Sequence, residues 1–100
     1  MVKHVIIWNF KGGFSEEEKI EIKKSAKENL EALAGKIEGL IDIKVQIDFL
    51  STSNGDMMLD STFTDFDALK TYSAHPLHQD VANKYVRPFT ASRSCVDFEI

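Results

Sequence analysis

The segment YSAHPLHQDV, residues 72 to 81, carries the side chains most suited to chemistry. Two histidines, His75 and His78, flank a proline, and Tyr72 precedes both. Imidazole is the side chain that exchanges protons near neutral pH, and a phenol can donate a hydrogen bond. The residue types are therefore compatible with acid–base catalysis, with a metal site, or with a sharp corner between two helices.

The proline predicts where these side chains lie. A residue that precedes proline is disfavoured in the α region, so one helix should end near His75. Pro76 suits the first position of a new helix, which places His78 in its first turn. There the helix dipole and partial burial oppose a positive charge and lower the pKa of the imidazole. A neutral His78 would accept a proton, and Tyr72 would supply a hydrogen bond.

Two other interpretations of the segment stay open. His75, held extended before proline, is expected to bond a nearby backbone group and close the corner. In the simplest interpretation His78 is also a half-buried corner residue, and Tyr72 belongs to the core. A metal site built on His75, His78 and His4 is disfavoured because Pro76 interrupts the spacing and no cysteine pair accompanies it. We therefore expect no metal and no cofactor.

Composition narrows the classes of function. The 100 residues predict one domain, residues 1–100, with a globular composition. The net charge is −4 and no basic block stands alone, so nucleic acid is not an expected partner. Cys95 is the one cysteine, which excludes an internal disulfide and suggests an inert strand thiol. No apolar run is long enough for a membrane span or a signal peptide, so we expect a cytoplasmic protein with no membrane partner.

Hydrophobic patterning predicts strands and helices in the order β, α, β, β, α, β. Ser15 and Glu18 form a capping box at the start of the first helix, whose end we place at Gly35 or Gly39. The predicted strands are Val2 to Phe10, Ile41 to Phe49, Met57 to Thr64 and Ser92 to Ile100, and the later helical pieces run from Asp65 to His75 and from Pro76 to Val86.

This order is typical of an α+β, ferredoxin-like protomer, with a four-stranded antiparallel sheet and helices on one face. The first strand is apolar on both faces. We expect Ile6, Trp8 and Phe10 to lie opposite the helix-facing residues and to be covered by a second copy of the sheet. The sequence thus predicts a homodimer.

The whole chain resembles the stress-responsive dimeric α/β-barrel (Dabb) family. The resemblance rests on KHVIIWNFK, on FTDFDALKTYSAHPLHQDV with its Y-x-x-H-P-x-H core, on VRPF and on the closing VDFEI. It implies a ferredoxin-like protomer that dimerises through its sheets to form a barrel. One plant branch is similar to a cofactor-independent polyketide cyclase, and its catalytic tyrosine and histidine correspond to Tyr72 and His78. The resemblance places His4 near the pocket, and Trp8 on the same strand face is expected to bind ligand with it.

The first helix departs from the cyclase pattern. It carries Ile22, Lys23 and Ala26 where the cyclase branch brings aromatic residues to its cavity, so a long aromatic polyketide is not the expected substrate. Two hypotheses remain. The protein is a small lyase, cyclase or isomerase acting on a carbonyl compound, or it is a non-catalytic stress-related or ligand-binding homodimer. What separates them is whether Tyr72 and His78 converge on a cavity.

Overall fold

The computed structural model describes residues 1–100 and has the predicted order of elements, with the second helical region in two pieces. The elements are β1 (Val2–Phe10), α1 (Glu16–Glu31), β2 (Leu40–Gln46), β3 (Met57–Phe63), α2 (Phe66–Ala74), α3 (Pro76–Tyr85) and β4 (Thr90–Glu99). All strand pairs are antiparallel, in the order β2-β3-β1-β4. The fold is therefore ferredoxin-like, as predicted.

The start of α1 is set by its capping box. The Ser15 hydroxyl accepts a hydrogen bond from the Glu18 backbone N–H at 3.1 Å, and the Glu18 carboxylate accepts one from the Ser15 N–H at 2.9 Å. Both bonds satisfy donors that the first turn leaves unpaired. This prediction is confirmed.

The predicted end of α1 is wrong. The helix stops at Glu31, and turns carry the chain on to β2. Gly35 and Gly39 lie in these turns with φ of 78° and 86°, values that favour glycine. Leu33 and Ile37 are nevertheless buried, because the turns keep them over the sheet. The buried residues that cover the sheet therefore continue beyond the helix, which ends at Glu31.

Strand β2 is also shorter than predicted, ending at Gln46 rather than at Phe49. Its pairing with β3 shifts register between Leu40 and Asp42. As a result Leu40 and Ile43 are both buried, while Ile41 is exposed. An irregularity of this kind is invisible in an alternating sequence.

The predicted orientation of β1 is wrong. Ile6 and Trp8 are buried beneath the helices, together with His4, whereas Ile7 lies on the opposite face and is 42% exposed. Phe10 is half-buried and packs against the core. Both faces of the strand are apolar, so the pattern alone did not distinguish them. The helix-free face of the sheet, which we call the outer face, carries Val5 and Ile7 of β1 and the exposed residues Val96 and Phe98 of β4.

None of the three helices has the length and apolar character that a membrane span requires.

Candidate functional site

A cavity of about 530 Å³ opens between the helix-covered face of the sheet and the α2–α3 corner. It has the size of a small-molecule site. The lining residues are His4, Ile6, Trp8, Leu30, Leu59, Tyr72, Ser73, His78, Gln79, Ala82, Val86, Arg87, Thr90, Ala91, Ser92 and Arg93. All four residues that the sequence singled out for a site, Tyr72, His78, His4 and Trp8, lie against this cavity.

The corner that positions Tyr72 and His78 is built around His75. Helix α2 ends at Ala74 and α3 begins at Pro76, while His75 between them is extended, with φ −67° and ψ 134°. The His75 Nδ1 accepts a hydrogen bond from the Leu77 backbone N–H at 3.1 Å. His75 thus caps α3, and it does not line the cavity.

The His78 ring is oriented by a backbone carbonyl. Its Nδ1 lies 3.2 Å from the Ser73 carbonyl oxygen. Because a carbonyl only accepts, Nδ1 carries the proton and Nε2 of the neutral ring keeps its lone pair. Burial lowers the pKa of His78, the Ser73 bond partly opposes that shift, and the positive charges of Arg87 and Arg93 add to the lowering. The ring is therefore neutral at physiological pH, with a free nitrogen able to accept a proton.

Tyr72 stacks on His78 and has an unpaired hydroxyl. The ring centroids are 4.2 Å apart. The tyrosine is fully buried and its hydroxyl makes no hydrogen bond within the protein. Burial raises the pKa of Tyr72, so the phenol stays protonated. A buried donor without a partner is costly, and Tyr72 is one of the residues that line the cavity.

The His4 ring is held in place by a hydrogen bond to a residue of the edge strand β4. Its Nδ1 donates to the Asp97 carboxylate on β4, opposite it in the ladder, at 2.5 Å. The His4 ring meets the edge of Tyr72 at a centroid distance of 6.3 Å. Sequence reasoning missed Asp97 because the pair is separated by 93 residues, and only the register of β1 against β4 reveals it.

Cys95 lies beside this pair, with Sγ 3.5 Å from the Asp97 carboxylate. Burial and the neighbouring charge of Asp97 raise the pKa of the Cys95 thiol, which keeps it protonated. The donor atoms of His4, Cys95 and Asp97 all lie within 4.8 Å of one another. The group whose spacing could suit a metal ion therefore consists of these three residues and not of His75 and His78. His4 and Asp97 are, however, already hydrogen-bonded to each other.

The fold and the cavity together define a ferredoxin-like domain with a ligand-sized pocket under its helices. Residues 2–100 match the Dabb family, described as the Stress responsive A/B Barrel Domain, and the chain belongs to that family. No curated protein matches the sequence.

Solved structures agree with this assignment. A dimeric protein of unknown function with a ferredoxin-like fold from Bacteroides fragilis is 32% identical, with a TM-score of 0.91, covering 99% of this chain and 95% of its own. A dimeric ferredoxin-like protein from Thermobifida fusca is 21% identical, with a TM-score of 0.79 and coverage of 99% and 90%. Hydroxynitrile lyase from Passiflora edulis is 15% identical, with a TM-score of 0.72 and coverage of 99% and 92%. The last two likenesses are of fold alone.

Proposed function

We propose that this protein is a cofactor-independent lyase, cyclase or isomerase that acts on a small carbonyl compound, with His78 as base and Tyr72 as hydrogen-bond donor. The observation that carries the proposal is the fully buried Tyr72 hydroxyl, which has no partner in the protein and lies beside a neutral imidazole at a cavity. A purely structural tyrosine in that position would be expected to bond a protein acceptor.

The chemistry begins with a proton transfer. His78 Nε2 takes a proton from the carbon next to the carbonyl, and the electron pair of the broken C–H bond delocalises onto the carbonyl oxygen. The Tyr72 hydroxyl donates a hydrogen bond to that oxygen as its negative charge develops. The enolate carbon then attacks a second carbonyl carbon, whose oxygen takes the proton from His78, or it takes the proton back from His78 on its opposite face. In the third route its electron pair forms a C=C bond to the neighbouring carbon as the bond from that carbon to a leaving group breaks, and His78 protonates the departing group. These outcomes correspond to a cyclase, an isomerase and a lyase.

Family resemblance supports the same pair of residues. In the cyclase-like plant branch the tyrosine and second histidine of the Y-x-x-H-P-x-H core perform the chemistry, and Tyr72 and His78 occupy those positions. The Passiflora edulis protein is named a lyase and has this fold. That likeness shows only that the fold can accommodate such an activity.

The direct test is exchange of α-protons for deuterium in small ketones and oxo acids, followed by NMR in D₂O. We expect His78→Asn to slow the exchange by about 10²-fold or more and Tyr72→Phe by about 10-fold or more. His75→Asn and Tyr85→Phe change the same residue types outside the cavity and should leave the rate unchanged. Wild-type protein that exchanges none of the compounds, or variants that match wild type, would instead support a non-catalytic ligand-binding protein.

The exchange rate should also depend on pH in a defined direction. The base form of His78 exists above the pKa of the ring in the folded protein, which burial, Arg87 and Arg93 hold below the usual 6.5. The rate should therefore be level at alkaline pH and fall as the pH is lowered, with the midpoint of the fall below the usual imidazole pKa of 6.5. A midpoint above 6.5 would contradict this role.

We infer that the protein acts as a homodimer through the outer face of the sheet. Ile7, Val96 and Phe98 are exposed there, 42%, 59% and 47% respectively. A cluster of exposed apolar side chains of this kind often marks an interface. The 32% identical Bacteroides fragilis protein is described as dimeric. Two outer faces packed together would form the barrel that the family resemblance implies.

We also infer a cytoplasmic location, because the lone Cys95 suits a reducing compartment. The net charge of −4 disfavours nucleic acid as a partner.

A further inference from the structure

The charged side chains that line the cavity are positive, whereas the whole chain has a net charge of −4. The protein holds 16 acidic and 12 basic side chains. Yet the residues that line the cavity include two arginines, Arg87 and Arg93, and neither an aspartate nor a glutamate. A cavity lined by one sign of charge concentrates the opposite charge in its ligand. This contrast raises the question of what the two arginines bind.

Arg87 is held in place without being neutralised. Its Nη1 donates to the side-chain oxygens of Gln79 at 2.9 Å and Asn83 at 2.6 Å, both on α3. These acceptors are neutral amides, so they orient the guanidinium and leave its charge uncompensated. No ion pair in the structure includes an arginine. The remaining donors of the guanidinium stay available for an anion.

Arg93 approaches the cavity from the edge strand. It pairs directly with Trp8 across the β1–β4 ladder. Directly paired residues project from the same face of a sheet, and Trp8 is buried on the helix-covered face. Arg93 therefore points towards the helices, where it lines the cavity. The carboxylate further along this strand face, Asp97, is already bonded to His4.

One backbone carbonyl links Arg87 to the proposed base. The Gln79 side-chain amide donates to the Ser73 carbonyl oxygen at 2.6 Å, and His78 Nδ1 bonds the same oxygen. Gln79 in turn accepts from Arg87. The imidazole and the guanidinium are thus fixed relative to each other, which suits a ligand that touches both.

We propose that the cavity binds a carbonyl compound that also carries a carboxylate or phosphate group, with the anionic group held by Arg87 and Arg93 and the carbonyl facing Tyr72 and His78. Arginine forks match the oxygens of both anions, and charge-assisted hydrogen bonds are stronger than bonds between neutral groups. The position of the carbonyl rests on the proposed function, whereas the anion site rests on the arginines alone.

The test compares ligands that share a methyl ketone and differ in whether the other end carries a negative charge. Binding of 4-oxopentanoate and of its neutral methyl ester is measured by NMR titration of the full-length protein, and 4-oxopentyl phosphate shows which anion is preferred. We expect wild type to bind one of the two anions about tenfold or more tightly than the ester. Arg87→Gln and Arg93→Gln should each remove most of that advantage. Lys84→Gln removes a cation of α3 outside the cavity and should preserve it.

Equal affinity for anion and ester would contradict the anion site. So would a preference for the anion that persists in both arginine variants, or a failure of both anions to bind at about 10 mM. These results are distinct from failure of the proposed function. Arginine-dependent binding without α-proton exchange would retain the anion site and remove the enzyme. Exchange of α-protons that is equally fast with the acid and the ester would support the enzyme and contradict the anion site.

Discussion

At the scale of single residues, His75 and His78 have different roles because Pro76 starts a new helix between them. His75 caps α3, and His78 turns its ring into the cavity. The sequence predicted this division, since proline restricts the residue before it and suits the first helical position. It did not predict the bond from His78 to the Ser73 carbonyl, because the choice of ring nitrogen depends on the side-chain rotamer and on packing.

The capping role of His75 predicts a modest effect on stability. His75→Ala removes the acceptor of the Leu77 N–H and should lower the free energy of unfolding by about 1 kcal/mol. His75→Asn supplies another capping acceptor and should restore most of the loss. Chemical denaturation of the three proteins measures both values. An alanine variant as stable as wild type would mean that the cap contributes nothing.

At the scale of elements, sequence reasoning located starts better than ends. The starts of α1, α2 and α3 follow from Ser15, Asp65 and Pro76, which act on their own first turns. The ends depend on neighbours distant in sequence. The turn at Gly39 is shaped by the approach of α2, and the register shift near Leu40 depends on β3. No local pattern contains that information.

The approach of α2 to the turn predicts different costs at two glycines. Both Gly35 and Gly39 have positive φ, so alanine at either position pays backbone strain of about 1 kcal/mol. At Gly39 the new Cβ would also lie 2.5 Å from the Ala68 Cβ, whereas at Gly35 it meets open space. Gly39→Ala should therefore cost about 2–4 kcal/mol and Gly35→Ala about 1 kcal/mol, measured by urea denaturation. Equal losses would contradict the close packing.

At the scale of the whole molecule, the fold class and the order of elements were predictable, but the orientation of β1 was not. The sequence shows that both faces of β1 are apolar, and only the position of the helices shows that Ile6 and Trp8 are inside. A homodimer is still expected, but through a different surface of the sheet. The residues expected at its interface are now Val5, Ile7, Val96 and Phe98.

The outer face predicts how the dimer can be broken. Val96→Lys places two ammonium groups in a symmetric apolar interface, and burying each unpaired charge costs several kcal/mol. Light scattering should give twice the 11.3 kDa chain mass for wild type and one chain mass for the variant. Ile20→Lys, at an exposed apolar site on α1, should remain dimeric. A dimeric Val96→Lys protein or a monomeric wild type would exclude this interface.

Whether His78 presents a neutral nitrogen to the cavity can be measured directly by ¹⁵N NMR of the histidine rings across a pH titration. The structure predicts a pKa for His78 below the usual 6.5, and above that pKa the tautomer with the proton on Nδ1, bonded to the Ser73 carbonyl. A His78 pKa above 6.5, or a proton on Nε2, would mean that no neutral nitrogen faces the cavity and that His78 does not act as the base.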